Sequence, residues 1–158
     1  MEFPSGYIYA MTPAEIRINW KNLVENENFR YTSPKKKAYN CVAWAVGISN
    51  LQIDMFYFRD VFDLDSNALD HSASGYAKCL SQYYGFELCA NLEFEPGFEK
   101  IALYEDNNHD FTHAARQLEN GKWTSKMGTY EDIEHDTLDA VSGSFYGKPV
   151  LYMKREKI

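Results

Sequence analysis

The chain is short of cysteine, of positive charge and of long apolar runs. Only three of its 158 residues are cysteines, and no two are close in sequence. An odd, scattered set builds no disulfide framework and fits free thiols in a reducing compartment. Lys and Arg number 16 against 23 Asp and Glu, for a net charge of −7. That balance argues against nucleic acid or an anionic membrane as partner, since both are held by neutralising phosphates. No apolar run approaches the roughly 20 residues a membrane helix needs. The start, Met-Glu-Phe-Pro-Ser-Gly, has neither the basic stretch nor the apolar core of a secretory signal. The expected location is the cytoplasm, with signal-less export left open. Repeats, low-complexity segments, glycine-rich phosphate loops and a Gly-x-Ser-x-Gly elbow are all missing.

What is present is ample apolar material: 45% hydrophobic residues, with 12 Tyr and 10 Phe. This suits one ordinary domain over 1–158, with a helix and loop over 1–38 ahead of a core over 39–158. Thr12-Pro13-Ala14-Glu15 opens a helix, Thr12 capping and Glu15 able to complete a capping box. Ile16, Trp20, Leu23 and Val24 form its apolar stripe. Residues 27–38 read as a loop. Tyr39 to Gly47 reads as a short buried helix with Gly47 as its stop. Met55 to Phe58 reads as strand or irregular chain. Ser72 or Ser74 caps a helix that runs to about Tyr84 and ends at Gly85. Strands follow at Phe86 to Leu92, Lys100 to Tyr104, His113 to Leu118, Lys122 to Met127 and Pro149 to Lys154. Asn120-Gly121 is the hairpin signal between two of them. Thr129 is expected to cap a helix with Tyr130, Ile133, Ala140 and Val141 on one side. The pattern is α+β: N-terminal helices packed on an antiparallel sheet.

Cys41 is the candidate nucleophile. It stands at a predicted helix start, where free N–H groups and the dipole favour a thiolate, with Lys35, Lys36 and Lys37 just upstream. Asn40 and the same backbone amides are candidate oxyanion or substrate-positioning donors. The competing assignment makes Cys41 a small packed hydrophobe. Of the histidines, His71 and His109 lie in polar stretches, while His113 opens a strand and suits a general base. Cys79 and Cys89 fall within predicted elements as core residues.

Tyr39-Asn40-Cys41-Val42-Ala43 resembles the nucleophile motif of NlpC-like papain-fold hydrolases. His113 to Leu118, followed by Asn120-Gly121-Lys122-Trp123, resembles their histidine strand and hairpin. Tyr39 to Ala45, Glu99 to Tyr104, Thr112 to Leu118 and Trp123 to His135 are also similar to an uncharacterised bacterial group with an Asn-Cys-x-Ala-Trp-Ala motif. The first resemblance implies a papain-like fold, a Cys41–His113 pair cleaving an amide or ester bond, and a third polar residue about a dozen positions after the histidine. That position is Ser125, a departure from the usual His, Asn, Gln or acid.

Hairpin geometry leaves the third position open. A two-residue turn puts Thr124 and Lys126 on the His113 side. A three-residue loop with a glycine bulge puts Ser125 there. Glu131 and His135 would be helix neighbours, which makes His135 a reserve base. Asp132, three residues after Thr129, reads as part of a capping box. A zinc site using His109, His113, Cys79 and Cys89 has the wrong spacing, and no metal or cofactor is expected. Two functions stay open: a cysteine-dependent hydrolase or acyltransferase acting on an amide-containing substrate, and a non-catalytic module binding a protein partner.

Overall fold

A computed structural model describes residues 3, 5–26 and 29–157. Two short helices lead, α1 (Pro13–Asn19) and α2 (Lys21–Asn26). The Thr12 hydroxyl caps α1 by accepting from the Glu15 N–H at 3.2 Å. Ile16, Trp20 and Leu23 are buried as the stripe predicts, whereas Val24 is 42% exposed. The helix breaks at Trp20, and the restart turns Val24 away from the core.

The expected loop over 27–38 contains a strand, β1 (Phe29–Ser33); residues 27 and 28 lie outside those described. Its Phe-Arg-Tyr-Thr-Ser sequence suits an extended edge. Next come α3 (Cys41–Ala45) and α4 (Met55–Phe62). Neither the strand nor the irregular reading of Met55–Phe58 holds. Asp54 caps α4 by accepting from the Tyr57 N–H at 2.9 Å, and Phe58 is buried. Helix α5 (Ala73–Tyr84) begins at the Ser72 cap and ends at left-handed Gly85, as predicted.

The remaining strands are β2 (Glu87–Leu88), β3 (Phe98–Glu105), β4 (Phe111–Gln117), β5 (Trp123–Lys126), β6 (Asp132–His135) and β7 (Lys148–Glu156). All seven join one antiparallel sheet in the order β1-β6-β5-β4-β3-β7-β2. The α+β expectation holds at this level. The predicted helix after Thr129 does not form. Strand β6 and a 3-10 turn at Leu138–Val141 replace it. Strand β2 is also much shorter than the predicted 86–92.

Both sheet faces are covered. Ile101, Leu103, Ala114 and Met153 pack with Val42, Phe58, Tyr76 and Leu80 on one face. Ala102, Tyr104, Ala115 and Ile133 pack with Ile16, Trp20, Leu23 and Val141 on the other. The two-residue period of a strand thus serves two cores, with β3 buried on both sides. The described residues ahead of 39 are part of this packing: β1 belongs to the sheet, and α1 and α2 cover its second face.

Candidate active site

Cys41 is the first residue of α3, and Asn40 is its cap. The Asn40 Oδ1 accepts from the Ala43 N–H at 3.0 Å and the Ile53 N–H at 3.1 Å, while Nδ2 donates to the Ile53 carbonyl at 2.8 Å. The amide therefore clamps α3 to the segment before α4 with one of its two Nδ2 protons. Cys41 is half-buried against the first-face core. Its thiol pKa is raised, not lowered as the helix-start argument expects: burial pushes it up, outweighing N–H groups of Ala114, Val42 and Cys41 itself. A five-residue helix carries little dipole to oppose desolvation. Lys35, Lys36 and Lys37 are exposed, and the cation acting on Cys41 is Lys126 of β5.

The β4–β5 hairpin places Ser125. Leu118 N–H donates to the Lys122 carbonyl at 2.7 Å, and Gly121 has φ +84°. This is the three-residue loop with a left-handed glycine, and its register pairs Arg116 with Thr124 and Gln117 with Trp123. Ser125 consequently shares the His113 side. The ladder pairs no residues beyond Arg116–Thr124, so β4 and β5 part there. The Ala114 N–H, just past that split, is the first of the N–H groups that act to lower the Cys41 pKa.

His113, Ser125 and His135 form a continuous buried chain, each with 0% exposure. His113 Nε2 lies 2.9 Å from Ser125 Oγ, which lies 2.7 Å from His135 Nε2. His135 Nδ1 lies 2.8 Å from the Thr137 carbonyl. A carbonyl only accepts, so His135 Nδ1 carries the proton. Burial lowers the His135 pKa to about 4, so near neutrality its Nε2 is bare and accepts the Ser125 hydroxyl proton. Ser125 Oγ, its one proton spent, must accept from His113 Nε2–H. Burial and then the neighbouring His135 hold the His113 pKa well below the usual histidine value. Its Nδ1 is left as an unprotonated acceptor, buried and without a hydrogen-bond partner.

Both ring nitrogens of His135 are engaged, and it fixes the far end of the chain. It also sits on a strand, so the helical Glu131–His135 pairing does not occur. Glu131 instead accepts from Tyr7 Oη at 2.6 Å, Ala10 N–H at 2.7 Å and Met11 N–H at 2.8 Å. Burial pushes its pKa up, but these bonds hold it below the usual value. Asp132 forms no capping box: it takes Tyr39 Oη at 2.5 Å and Ser33 Oγ at 2.7 Å. No hydrogen bond joins Cys41 to His113, because Nε2 belongs to Ser125 and Nδ1 has no partner.

Sequence reasoning missed Tyr146. Its ring stacks on His113 with centroids 4.1 Å apart and planes 8° apart. Gly143 and Gly147 bracket it and hint at a tight turn, but no local pattern ties that turn to a strand over thirty positions upstream. Of the other sulfurs and imidazoles, Cys79 is buried in α5, while Cys89 lies outside β2 and is only half-buried. His71 and His109 are exposed. Among the described residues no group of three or more His, Cys, Asp or Glu side chains could hold a metal ion. Nor is any helix there long and apolar enough to cross a membrane.

The model of a domain family of unknown function, DUF7689, matches residues 30–154. The chain belongs to that family. No curated protein and no solved structure matches it. The DUF7689 match runs from β1 nearly to the end of β7, so it takes in Cys41, His113, Ser125, His135 and Tyr146 and leaves out α1 and α2.

Proposed function

We propose that this domain is a cysteine-dependent hydrolase or acyltransferase of papain-like design, acting on an amide or ester bond. One observation carries the reading: a donor chain anchored at the Thr137 carbonyl leaves His113 Nδ1 as a bare base. A buried acceptor with no donor is costly unless a ligand or a reaction step supplies one. The helix with the cysteine precedes the strand with the histidine, in the order the NlpC-like resemblance implies.

In the proposed cycle the resting pair is neutral thiol and neutral imidazole. Cys41 packs on the first sheet face and His113 on the second. In this cycle Sγ–H therefore reaches Nδ1 through the opening where β4 and β5 part, by substrate binding and rotation about the Cys41 Cα–Cβ bond. As Sγ bonds to the carbonyl carbon, its proton passes to Nδ1. That proton then goes to the leaving amine or alcohol, and water or a second acceptor takes the acyl group. Ser125 and His135 hold the ring and tautomer throughout, and are positioning residues.

The test is acylation by p-nitrophenyl acetate, with the modified peptide located by mass spectrometry. Acetylation confined to Cys41, and lost in His113→Gln, is the expected result. No acetylation, or equal acetylation of all three cysteines, refutes the reading. Burial of the whole His113–Ser125–His135 chain, with the raised Cys41 pKa, favours the second reading, a non-catalytic interaction module. On that reading His113→Gln changes stability and nothing chemical.

A further inference from the structure

Tyr146 is held from three directions. Gly143 and Gly147 exchange two N–H to carbonyl bonds of 2.8 Å each, closing the turn around it. The Thr112 hydroxyl donates to the Tyr146 carbonyl, fixing it to β4 beside His113. Its ring lies flat on the His113 imidazole. A Cβ on Gly147 would fall 1.9 Å from the Glu105 carbonyl oxygen, so the turn is also pressed against the end of β3. The residue is 4% exposed, yet its hydroxyl has no hydrogen-bond partner.

We propose that Tyr146 Oη donates the hydrogen bond that stabilises the oxyanion formed when Cys41 attacks a carbonyl. This rests on the thiol chemistry proposed above and adds a side-chain donor to the backbone N–H groups around Cys41, one Asn40 Nδ2 proton being given to the Ile53 carbonyl. Burial keeps the phenol protonated, and the next largest influence on it is the charge of Cys41, which puts hydroxyl and thiol in one electrostatic neighbourhood. The Gly128 N–H favours the phenolate slightly, but the hydroxyl proton has no acceptor. The site thus holds an acceptor without a donor, His113 Nδ1, and a donor without an acceptor, Tyr146 Oη. A tetrahedral intermediate on Cys41 satisfies both: its proton goes to Nδ1 and its negative oxygen takes the phenol hydrogen bond. The Sγ–C bond forms as the carbonyl π pair moves to oxygen. Collapse returns that pair and expels the leaving group.

Two reagents separate this role from a merely structural one. Acylation by p-nitrophenyl acetate passes through an oxyanion, whereas alkylation by iodoacetamide displaces iodide without one. Tyr146→Phe keeps the ring on His113 and removes a hydroxyl whose proton has no acceptor, so thermal stability should change little. Cys41 acylation should drop about 100-fold, the usual effect of losing one oxyanion donor, with Cys41 alkylation unchanged. Acylation unchanged in Tyr146→Phe overturns the Tyr146 role and leaves the Cys41 chemistry standing. Equal losses in both reactions also overturn it, because the phenol would then only hold the site together. Absence of Cys41 acylation in the native chain defeats the thiol chemistry and this inference with it. If the variant does not fold, the carbonyl stretch of S-acetyl-Cys41 in the native chain decides. A band below that of the same thioester in denaturant supports the hydrogen bond, and an unshifted band refutes it.

Discussion

At the scale of single residues, the site depends on one hydroxyl. Ser125 has one proton and two neighbours, so it transmits the constraint set by the Thr137 carbonyl through His135 to His113. Ser125→Ala leaves the His113 Nε2–H and the His135 Nε2 lone pair buried and unmatched. The expected cost is about 2–6 kcal/mol by urea denaturation, at about 1–3 kcal/mol for each of the two orphaned groups. The same variant frees the His113 tautomer, so acylation should fall while iodoacetamide alkylation changes little. A parallel loss of both would make Ser125 a structural residue only. The raised Cys41 pKa sets a second expectation. Alkylation of Cys41 should stay slow near pH 6 and keep rising beyond pH 9. A plateau at neutral pH, measured by rate against pH, would refute the neutral-thiol resting state.

At the scale of elements, the β4–β5 loop selects which side chain meets His113. Side chains alternate across a strand, so a one-residue change in register moves the whole strand's set to the other face. Deleting Glu119 would convert the three-residue loop into a two-residue one. Thr124 and Lys126 would then face His113, Ser125 would turn away, and acylation should be lost along with cooperative unfolding. Retained Cys41 acylation in this deletion would show that Ser125 plays no part. The Gly143–Gly147 turn makes a comparable test. Gly147 has φ +73° and no room for a Cβ against the Glu105 carbonyl, so Gly147→Ala should lower the melting temperature sharply and disturb the Tyr146 stack. An unaltered melting temperature would mean that the turn yields easily.

At the scale of the molecule, two histidines buried in neutral form tie folding to pH. His135 titrates at about 4 when folded and near 6.5 when unfolded, and His113 is shifted in the same direction. Between those values the unfolded chain binds more protons than the folded one. The stability that keeping these groups neutral contributes is therefore present above about pH 6.5. It is lost as pH falls toward about 4, with a slope near 1.4 kcal/mol per pH unit from His135 alone. Urea midpoints measured across that interval should fall with acidification, and the fall should be shallower in His135→Gln. The same slope in both proteins would show that other groups govern acid sensitivity.

The sequence by itself determined the pieces whose cause is local. Caps at Thr12 and Ser72, the left-handed stop at Gly85 and the Asn120-Gly121 hairpin are written in a few adjacent residues, and all four stand. It also singled out Cys41, His113, Ser125 and His135, of which the last three meet. Local signals failed where partners distant in sequence decide. The β1 and β6 segments pair with each other across about a hundred residues, and that pairing overrides the helical reading after Thr129. Only the tertiary structure chose the three-residue loop over the two-residue one, and with it the face of Ser125. Only it buried the Cys41 thiol deeply enough for desolvation to outweigh a short helix start. And only it laid Tyr146 on His113, because a stack between residues 33 positions apart has no signature in either segment.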